Sequence, residues 1–469
     1  MADSPIDTAG TRLEKDSLGE VRVPADALYG AQTQRAKENF PISDLRFPRR
    51  FIEALGAVKA AAARANADLG LLPADKAAAI RDAAEAVRRG DHDDQFPLDI
   101  FQTGSGTSTN MNANEVLAHL ASEAAGQAIH PNDDVNMGQS SNDVIPTAMH
   151  VAARLAIEEE LVPALARLAE ALEAKAEAFD DVLKSGRTHL MDATPVRLGQ
   201  EFGGYAAQVR KGLARVRAAS EELAELALGG TAVGTGINRH PDFPETAIGY
   251  LADATGVTFR EAENHFEAQS AKDAYVSAAG TLNTLAVSLM KVANDLRHLS
   301  SGPTSGLAEI RFPAIQPGSS IMPGKVNPVM SEALMMVCAR VMGNAVTVTV
   351  GGQHGNFELN VMMPVMAHAM LESIQILAGG CDAFRTRAVE GIEADRERCR
   401  ELLEKNPSIA TALNAEIGYD AAATVAKQAA AEGRSVRDVL RDRDLVPEDR
   451  LDAVLDVRSM TEPGIPGRD

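Results

Sequence analysis

The segment GSSIMPGKVNP (318–328) carries the clearest chemistry in this chain of 469 residues. Its two glycines and two prolines exclude a regular helix or strand, so we predict a loop. Ser319 and Ser320 supply hydroxyl groups, Lys325 supplies a cation and Asn327 supplies an amide. A loop with these groups can present a proton acceptor and hydrogen-bond donors to one small anion.

Part of this segment also has a structural explanation. Asn327 and Pro328 are typical of the N-cap and first position of the helix that the following apolar residues predict. Glu332 would then lie in the first turns, where the positive end of a helix favours a carboxylate. Ser319, Ser320 and Lys325 have no comparable local role, so they are the stronger candidates for chemistry.

A second polar loop reads QTGSGTSTN (102–110). Gly104 would let a ligand approach the backbone, and Ser105 and Thr107 could bind an oxyanion. The segment is neither a P-loop nor a dinucleotide fingerprint, because the required lysine and third glycine are missing. Taken alone, this segment is better explained as a polar turn before a helix.

Two further loops contain histidine. The segment 129–146 holds His130, Asn132 and Asp133, followed by Ser140, Ser141 and Asn142. Its spacing matches neither a helical metal-binding histidine pair nor a calcium loop, and capping of the next helix, with Asn142 or Asp143 at its start, is the structural alternative. The segment 186–200 places Arg187 and Thr188 beside His189, and we predict a loop there as well.

The elements between these loops are predicted to be helices. Alanine- and leucine-rich patterns are strongest at about 263–300, 328–350 and 361–386, and helices that are apolar around much of their circumference belong inside a bundle. Residues 1–50 are predicted to be irregular. We predict an N-terminal mainly helical domain (1–145), a central helix-bundle domain (146–395) and a small C-terminal helical domain (396–469).

Composition restricts the setting and the partners. The formal net charge of −20 argues against binding to nucleic acid or to an anionic membrane, but not against a small anionic substrate that a local cluster such as Arg187 and Lys325 attracts. The three cysteines form no C-x-x-C pair, which favours a reducing cytoplasm. The N-terminus lacks an apolar leader, and no unbroken apolar run approaches the length of roughly 18 residues that spans a membrane. We therefore expect a cytoplasmic protein.

Along nearly its whole length the chain resembles the class II fumarases of the fumarase/aspartase superfamily. The resemblance rests on GEVRVPADALYGAQTQRAKENFPIS, QTGSGTSTNMNANEV, HPNDDVNMGQSSNDVIPTAMH, GRTHLMDATPVRLGQEF, LGGTAVGTGIN, GSSIMPGKVNP, GGQHGNFELNV and IGYDAAATVAKQA. Two positions favour fumarase over aspartate ammonia-lyase, which is the alternative function. Ser141 is threonine in many aspartases, and Gly324, before the lysine, is often alanine there. A catalytically silent relative, such as a lens protein, would have lost residues that are present here.

The resemblance implies a mainly α, three-domain fold whose central long helices form the core of a homotetramer, with each active site shared between subunits. It implies reversible hydration of fumarate to (S)-malate through an aci-carboxylate carbanion, without a metal or another cofactor. Ser319 would be the general base, and His189 paired with Glu332 would act on the water side. Lys325 and Asn327 would hold a substrate carboxylate. The other residues implied to bind substrate are Ser105, Thr107, Ser140, Ser141, Asn142 and Thr188. A second anion site would consist of His130, Asn132 and Asp133.

Overall fold

The computed structural model describes residues 10–466. The chain is mainly α-helical, as predicted. Its helices are α1 (Ala31–Asn39), α2 (Arg49–Asp68), α3 (Ala74–Arg89), α4 (Thr107–Ala125), α5 (Ser141–Ala156), α6 (Val162–Ala178), α7 (Leu198–Glu222), α8 (Phe243–Thr255), α9 (His265–Ser270), α10 (Asp273–Leu299), α11 (Val329–Gly352), α12 (Met363–Arg387), α13 (Arg396–Glu404), α14 (Asn414–Ile417), α15 (Tyr419–Glu432), α16 (Val436–Arg443) and α17 (Glu448–Val454). Single π-helical turns at Pro131–Val135 and Ile157–Leu161 precede α5 and α6, respectively.

Strands occur only in pairs within the described part of the chain. They are β1 (Thr11–Asp16), β2 (Gly19–Pro24), β3 (Leu183–Thr188), β4 (Met191–Arg197), β5 (Glu225–Leu226), β6 (Arg260–Glu261), β7 (Ile310–Arg311), β8 (Gly355–Asn356), β9 (Leu359–Asn360) and β10 (Glu393–Ala394). Antiparallel pairs are β1–β2, β3–β4, β7–β10 and β8–β9, and β5–β6 is parallel. Two predictions of irregular structure were therefore wrong, since residues 11–24 and 183–197 form hairpins.

The chain packs into two compact units. The first contains the described residues up to Pro163 together with Gly212–Ala286 and Val337–Ala378, and the second contains Ala164–Lys211, Val287–Met336 and the residues from Gly379. The three-domain division remains a prediction.

In the first unit the core is organised around α2. This helix packs against α3, α4, α5 and α8, and most of its side chains are buried. Small residues make this possible: a Cβ on Gly56 would lie 2.9 Å from the carbonyl oxygen of Ala84, so only glycine allows α3 to approach so closely. A lysine, Lys59, is fully buried in this alanine-rich helix.

In the second unit the β3–β4 hairpin packs against the C-terminal helices. Asn406 donates hydrogen bonds to the hydroxyl oxygen of Ser185 (3.0 Å) and to the carbonyl oxygen of Ala193 (2.7 Å), which ties both strands to the start of the following 3₁₀ helix. Leu413, Val425 and Val439 form the centre of a separate apolar cluster in the C-terminal segment. The hairpin is thereby fixed at its base, while its tip is exposed.

Two helices are long and apolar enough to cross a membrane by length and composition. They are α10 and α11, whose most apolar windows have mean hydropathies of 1.2 and 1.6 and are 44% and 28% buried. The sequence contains no unbroken apolar run of that length, but the average over each window reaches the threshold. Core helices of soluble proteins have the same composition, so these two carry little weight as evidence for a membrane.

Candidate active site

The loop around Ser319 is closed by hydrogen bonds between its two ends. The backbone N–H of Gly318 donates to the carbonyl oxygen of Lys325 (2.8 Å), and the Asn327 amide donates to the carbonyl oxygen of Gly318 (2.6 Å). A Cβ on Gly318 would lie 2.3 Å from that Lys325 oxygen, so the closure requires glycine. The residues between the two ends are held as one small loop.

Within this loop the Ser319 side chain accepts two backbone hydrogen bonds. Its Oγ accepts from the N–H groups of Ile321 (3.2 Å) and Met322 (3.0 Å). Ser319 is partly buried, whereas Ser320 beside it is exposed. Two N–H dipoles directed at one oxygen stabilise negative charge on that oxygen. The two N–H groups would stabilise the alkoxide form of Ser319, which is the form that can accept a proton.

The remaining residues of this segment have different surroundings. Lys325 is exposed, and among the residues described none forms an ion pair with its ammonium group. Glu332 is exposed in the first turn of α11. The Asn327 side chain does not cap α11 as predicted, because it is used to close the loop and α11 begins at Val329.

Thr188, His189 and Leu190 form the exposed tip of the β3–β4 hairpin. Thr188 pairs with Met191, so the turn contains two residues, His189 (φ 57°) and Leu190 (φ 62°). A two-residue turn with positive φ at both positions is of type I′, which asparagine and glycine usually occupy. Leu rarely adopts this conformation, and His adopts it less readily than glycine. Such backbone strain is concentrated at functional sites.

Replacing each tip residue by glycine separates strain from function. We expect His189→Gly to raise the free energy of unfolding by about 0.5 to 1 kcal/mol, because glycine adopts positive φ without steric cost. We also expect the variant to lose roughly 10²-fold in kcat, because the family resemblance implies that His189 is an acid–base group. Leu190→Gly is the matched control, with the same backbone gain and normal turnover. Equal turnover in both variants would exclude a chemical role for His189.

Arg187 is not available to bind an anion, contrary to the prediction. Its guanidinium group forms two hydrogen bonds, of 2.8 and 2.9 Å, with the fully buried carboxylate of Glu309. Buried Lys184 lies 3.3 Å from the same carboxylate and 2.9 Å from Glu201. Burial by itself lowers the pKa of Arg187, but the hydrogen bonds to Glu309 and the negative charges of Glu309, Asp192 and Glu201 together raise that pKa above its ordinary value. These charges hold the base of the hairpin in place rather than a ligand.

In the first unit, Ser105 and Thr107 lie at the N-terminus of α4. Their hydroxyl groups are 2.8 Å apart, and Ser105 is largely buried. Gly104 packs so closely on the carbonyl oxygen of Val361 that a Cβ would lie 1.9 Å from it. Gly106 has positive φ (72°) and serves as the N-cap without a side-chain hydrogen bond. In the first turn of α4 the N–H of Thr109 donates to the side-chain oxygen of Gln102 (3.1 Å), and the two hydroxyls lie beside this helix end.

Ser140, Ser141 and Asn142 lie at the N-terminus of α5. Ser140 and Asp143 form a capping box, so the structural alternative considered for this segment is present, with Ser140 as the cap. The Ser141 hydroxyl accepts a hydrogen bond from Asn110 of α4 (3.0 Å). A Cβ on Gly106 would contact Ile145, so the first turns of α4 and α5 are packed together. The fold thus brings the Ser105 and Ser140 loops to one place.

His130, Asn132 and Asp133 occupy a π-helical turn. The Nδ1 atom of His130 accepts from the backbone N–H groups of Asn132 (3.3 Å) and Asp133 (3.1 Å), and it lies 3.3 Å from the Asp133 carboxylate. The three side chains are therefore adjacent, and their own contacts account for the turn.

Two buried charges in the first unit were not predicted. Lys59 donates to the side-chain oxygens of Asn136 (2.9 Å) and Gln139 (3.0 Å). Asp143 accepts from the N–H groups of Gly229 (3.0 Å) and Thr231 (2.9 Å). Burial lowers the pKa of Lys59 to about 7 and raises the pKa of Asp143. The only signal in the sequence is one lysine among the alanines of α2.

In the second unit the candidate residues of the Ser319 loop and of the hairpin tip form no hydrogen bond or ion pair with each other in the described part of the chain. Across residues 10–466, no hydrogen bond or ion pair joins His189 to Glu332 or to Ser319. One chain therefore presents three sets of residues: the Ser319 loop, the hairpin tip, and the paired N-termini of α4 and α5.

Comparisons with known proteins identify the family of this chain. The lyase family matches residues 19–343, and the fumarase C C-terminal family matches residues 409–462. The class II fumarate hydratase of Halobacterium salinarum is 57% identical over 459 residues, which cover 97% of this chain and 98% of that protein. The class II fumarate hydratase of Mycobacterium tuberculosis is 54% identical over 461 residues, 97% of each chain.

Among solved structures, the class II fumarase of Schistosoma mansoni has a TM-score of 0.94 at 38% identity and covers 97% of this chain and 99% of its own. A relative with such identity over almost the full length shares the fold. The chain therefore belongs to the class II fumarate hydratase family, within the larger lyase family.

Proposed function

We propose that this chain is a hydro-lyase that catalyses the reversible hydration of fumarate to (S)-malate. The elimination would proceed by anti removal of a proton from C3 of malate, through an aci-carboxylate carbanion, followed by loss of the hydroxyl group. The observation that carries the proposal is the Ser319 hydroxyl oxygen, which accepts two backbone N–H groups in a loop that also presents Lys325.

Ser319 acts as the base. A serine hydroxyl is a poor base unless its alkoxide is stabilised. The N–H groups of Ile321 and Met322 supply that stabilisation within the loop, and Lys325 supplies a nearby positive charge on the same loop. A positioned base contributes roughly 10²–10⁴-fold to the rate.

Lys325 and Asn327 stabilise the charge that develops on the substrate carboxylate. Loss of the C3 proton places negative charge on the adjacent carboxylate, and each preorganised donor there contributes roughly 10²–10³-fold. Asn327 keeps one amide hydrogen for this task, because only one of the two is needed to hold Gly318. Further donors come from Ser105, Thr107, Ser140, Ser141, Asn142 and Thr188.

His189 and Glu332 act on the hydroxyl or water side. These two residues are not in contact within the described chain, and both are exposed. Their pairing therefore requires a second copy of the chain, in which Glu332 at the start of α11 meets the hairpin tip of a neighbour. His130, Asn132 and Asp133 form a second anion site outside this centre.

The assembled protein is a homotetramer with active sites shared between subunits. Exposed apolar side chains on the longest helices support this assembly: Met336 (68% exposed) and Val346 (63%) on α11, and Val287 (54%) on α10. Contacts between subunits would remove these apolar side chains from water. The cytoplasm is the proposed compartment, and the three cysteines are reduced and buried in the structure.

Absorbance measurements with three substrates test the function. We expect the absorbance of fumarate to fall when the purified protein is added, malate to give the reverse change, and aspartate to give none. Turnover of aspartate with inert malate would instead identify an aspartate ammonia-lyase. The same protein inactivated by heat is the control for non-enzymatic change.

A further inference from the structure

Lys59 is a buried cation directly beneath one of the proposed substrate-binding loops. It lies in the middle of α2, and its side chain is 0% exposed. Its ammonium group donates to the side-chain oxygens of Asn136 (2.9 Å) and Gln139 (3.0 Å), at either end of the turn that precedes Ser140. A lysine in this position is costly, because burial lowers its pKa to about 7.

The hydrogen bonds of Lys59 continue to the Ser141 hydroxyl. The amide of Asn110 on α4 donates to Asn136 (3.3 Å) and to the Ser141 Oγ (3.0 Å). The amide of Asn136 donates to the carbonyl oxygen of Gln139 (3.2 Å), the residue before Ser140. These hydrogen bonds join Lys59, through Asn136 and Asn110, to the Ser141 hydroxyl.

We propose that Lys59 is a positioning residue for substrate binding, which orients the Ser140–Asn142 segment through Asn136 and Gln139. This inference rests on the proposed function. Lys59 does not touch the substrate. It fixes the amide oxygens of Asn136 and Gln139 so that the Ser141 hydroxyl and the first N–H groups of α5 point in one direction. Asp143 on α5, which holds the other side of the segment, is the opposite charge that acts on Lys59.

The chain offers a matched control in Lys272. This lysine is also almost fully buried, and burial lowers its pKa to about 7 as well. Its ammonium group donates to the carbonyl oxygens of Ala268 (2.6 Å), Gln269 (3.2 Å) and Ala271 (2.7 Å), at the end of α9. Lys272→Met therefore removes an equally buried cation without touching the Asn136 network.

Kinetics of four variants with fumarate test the inference. We expect Lys59→Met to raise KM roughly tenfold to 100-fold through misplaced binding groups, with kcat changed by less than about threefold. Lys272→Met should leave KM unchanged. Asn136→Ala cuts the same network and should raise KM similarly. The double variant Lys59→Met/Asn136→Ala should be no worse than the more severe single variant, because both changes break one connection.

Several outcomes would overturn this role. Equal KM values for Lys59→Met and Lys272→Met would show that any buried lysine has the same effect. If the increases in KM of the two single variants multiply in the double variant, Lys59 and Asn136 act independently and not through one network. If Lys59→Met does not fold, an unchanged KM for Asn136→Ala refutes the network. Wild-type protein that does not hydrate fumarate would overturn the proposed function and this inference with it, whereas an active wild type with unaffected variants overturns the inference alone.

Discussion

Ser319→Ala is expected to lower kcat for fumarate hydration by roughly 10³–10⁴-fold, because it removes the proposed base and a positioned base contributes up to that factor. The hydroxyl oxygen accepts the N–H groups of Ile321 and Met322, so it is the atom at which the loop stabilises negative charge. The loop should remain closed, since the closing hydrogen bonds run between Gly318, Lys325 and Asn327. Steady-state kinetics with fumarate and malate, beside sizing of the oligomer, measures both effects.

Ser320→Ala is the control for this experiment. Ser320 is exposed and lies next to Ser319 in the chain. Its replacement therefore tests whether turnover depends on the position of the hydroxyl group or only on the presence of one in the loop. We expect it to lose less than about tenfold in kcat, because only Ser319 accepts the two N–H groups. Near-normal turnover by Ser319→Ala, or equal losses in the two variants, would refute the assignment of the base.

Mixed assemblies extend the same experiment to the proposed sharing of the active site between subunits. Subunits carrying Ser319→Ala and subunits carrying His189→Asn each lack one group of the centre. When the two are unfolded together and reassembled, some sites should combine an intact Ser319 loop with an intact hairpin tip. Recovery of part of the wild-type activity is expected if different subunits supply these groups, and no recovery is expected if one chain supplies both.

Lys325→Met is expected to lower kcat/KM for fumarate by roughly 10²–10³-fold, because one preorganised cation on the developing carboxylate charge is lost. This loss should be smaller than that of Ser319→Ala, since other donors to the carboxylate remain while no second base does. The substitution leaves the backbone carbonyl of Lys325 in place, so its hydrogen bond from Gly318 is kept.

An exposed lysine on α15, Lys427, provides the control for charge. Lys427→Met changes the net charge by the same amount on the surface of the C-terminal segment, and turnover should be unaffected. Titration with sodium chloride separates the two effects further, because salt weakens long-range attraction of the substrate but not a direct contact. A Lys325→Met enzyme with full activity at low salt would exclude a direct role of the ammonium group.

The sequence by itself identified the long helices and most of the chemical groups. The predicted helices at about 328–350 and 361–386 correspond to α11 and α12 within a few residues, because continuous apolar periodicity leaves little alternative. The predicted helix at about 263–300 is interrupted between α9 and α10. There the Lys272 ammonium group donates to three carbonyl oxygens at the end of α9. One lysine does not change the apolar periodicity of the sequence, so the interruption could not be predicted.

The β3–β4 hairpin shows why local patterns failed elsewhere. Its strands are held by buried Lys184, by the pair of Arg187 with Glu309, and by the amide of Asn406. These polar contacts produce no alternation of apolar and polar residues, which is the pattern that would have predicted strands. Its turn uses His and Leu at positive φ, where turn rules favour asparagine and glycine. Partners more than a hundred residues away override local preference there.

The residue types of the site, and the family to which the chain belongs, could be identified from the sequence, because the loop residues stand in short contiguous motifs. Only the tertiary structure decided which partner each of these side chains contacts. It assigned Arg187 to Glu309, turned Asn327 toward Gly318, directed two N–H groups at Ser319 and placed Lys59 beneath Ser140. Hydrogen bonds over a few ångströms depend on where remote segments meet, and that information lies in the packing of the whole chain rather than in any single motif.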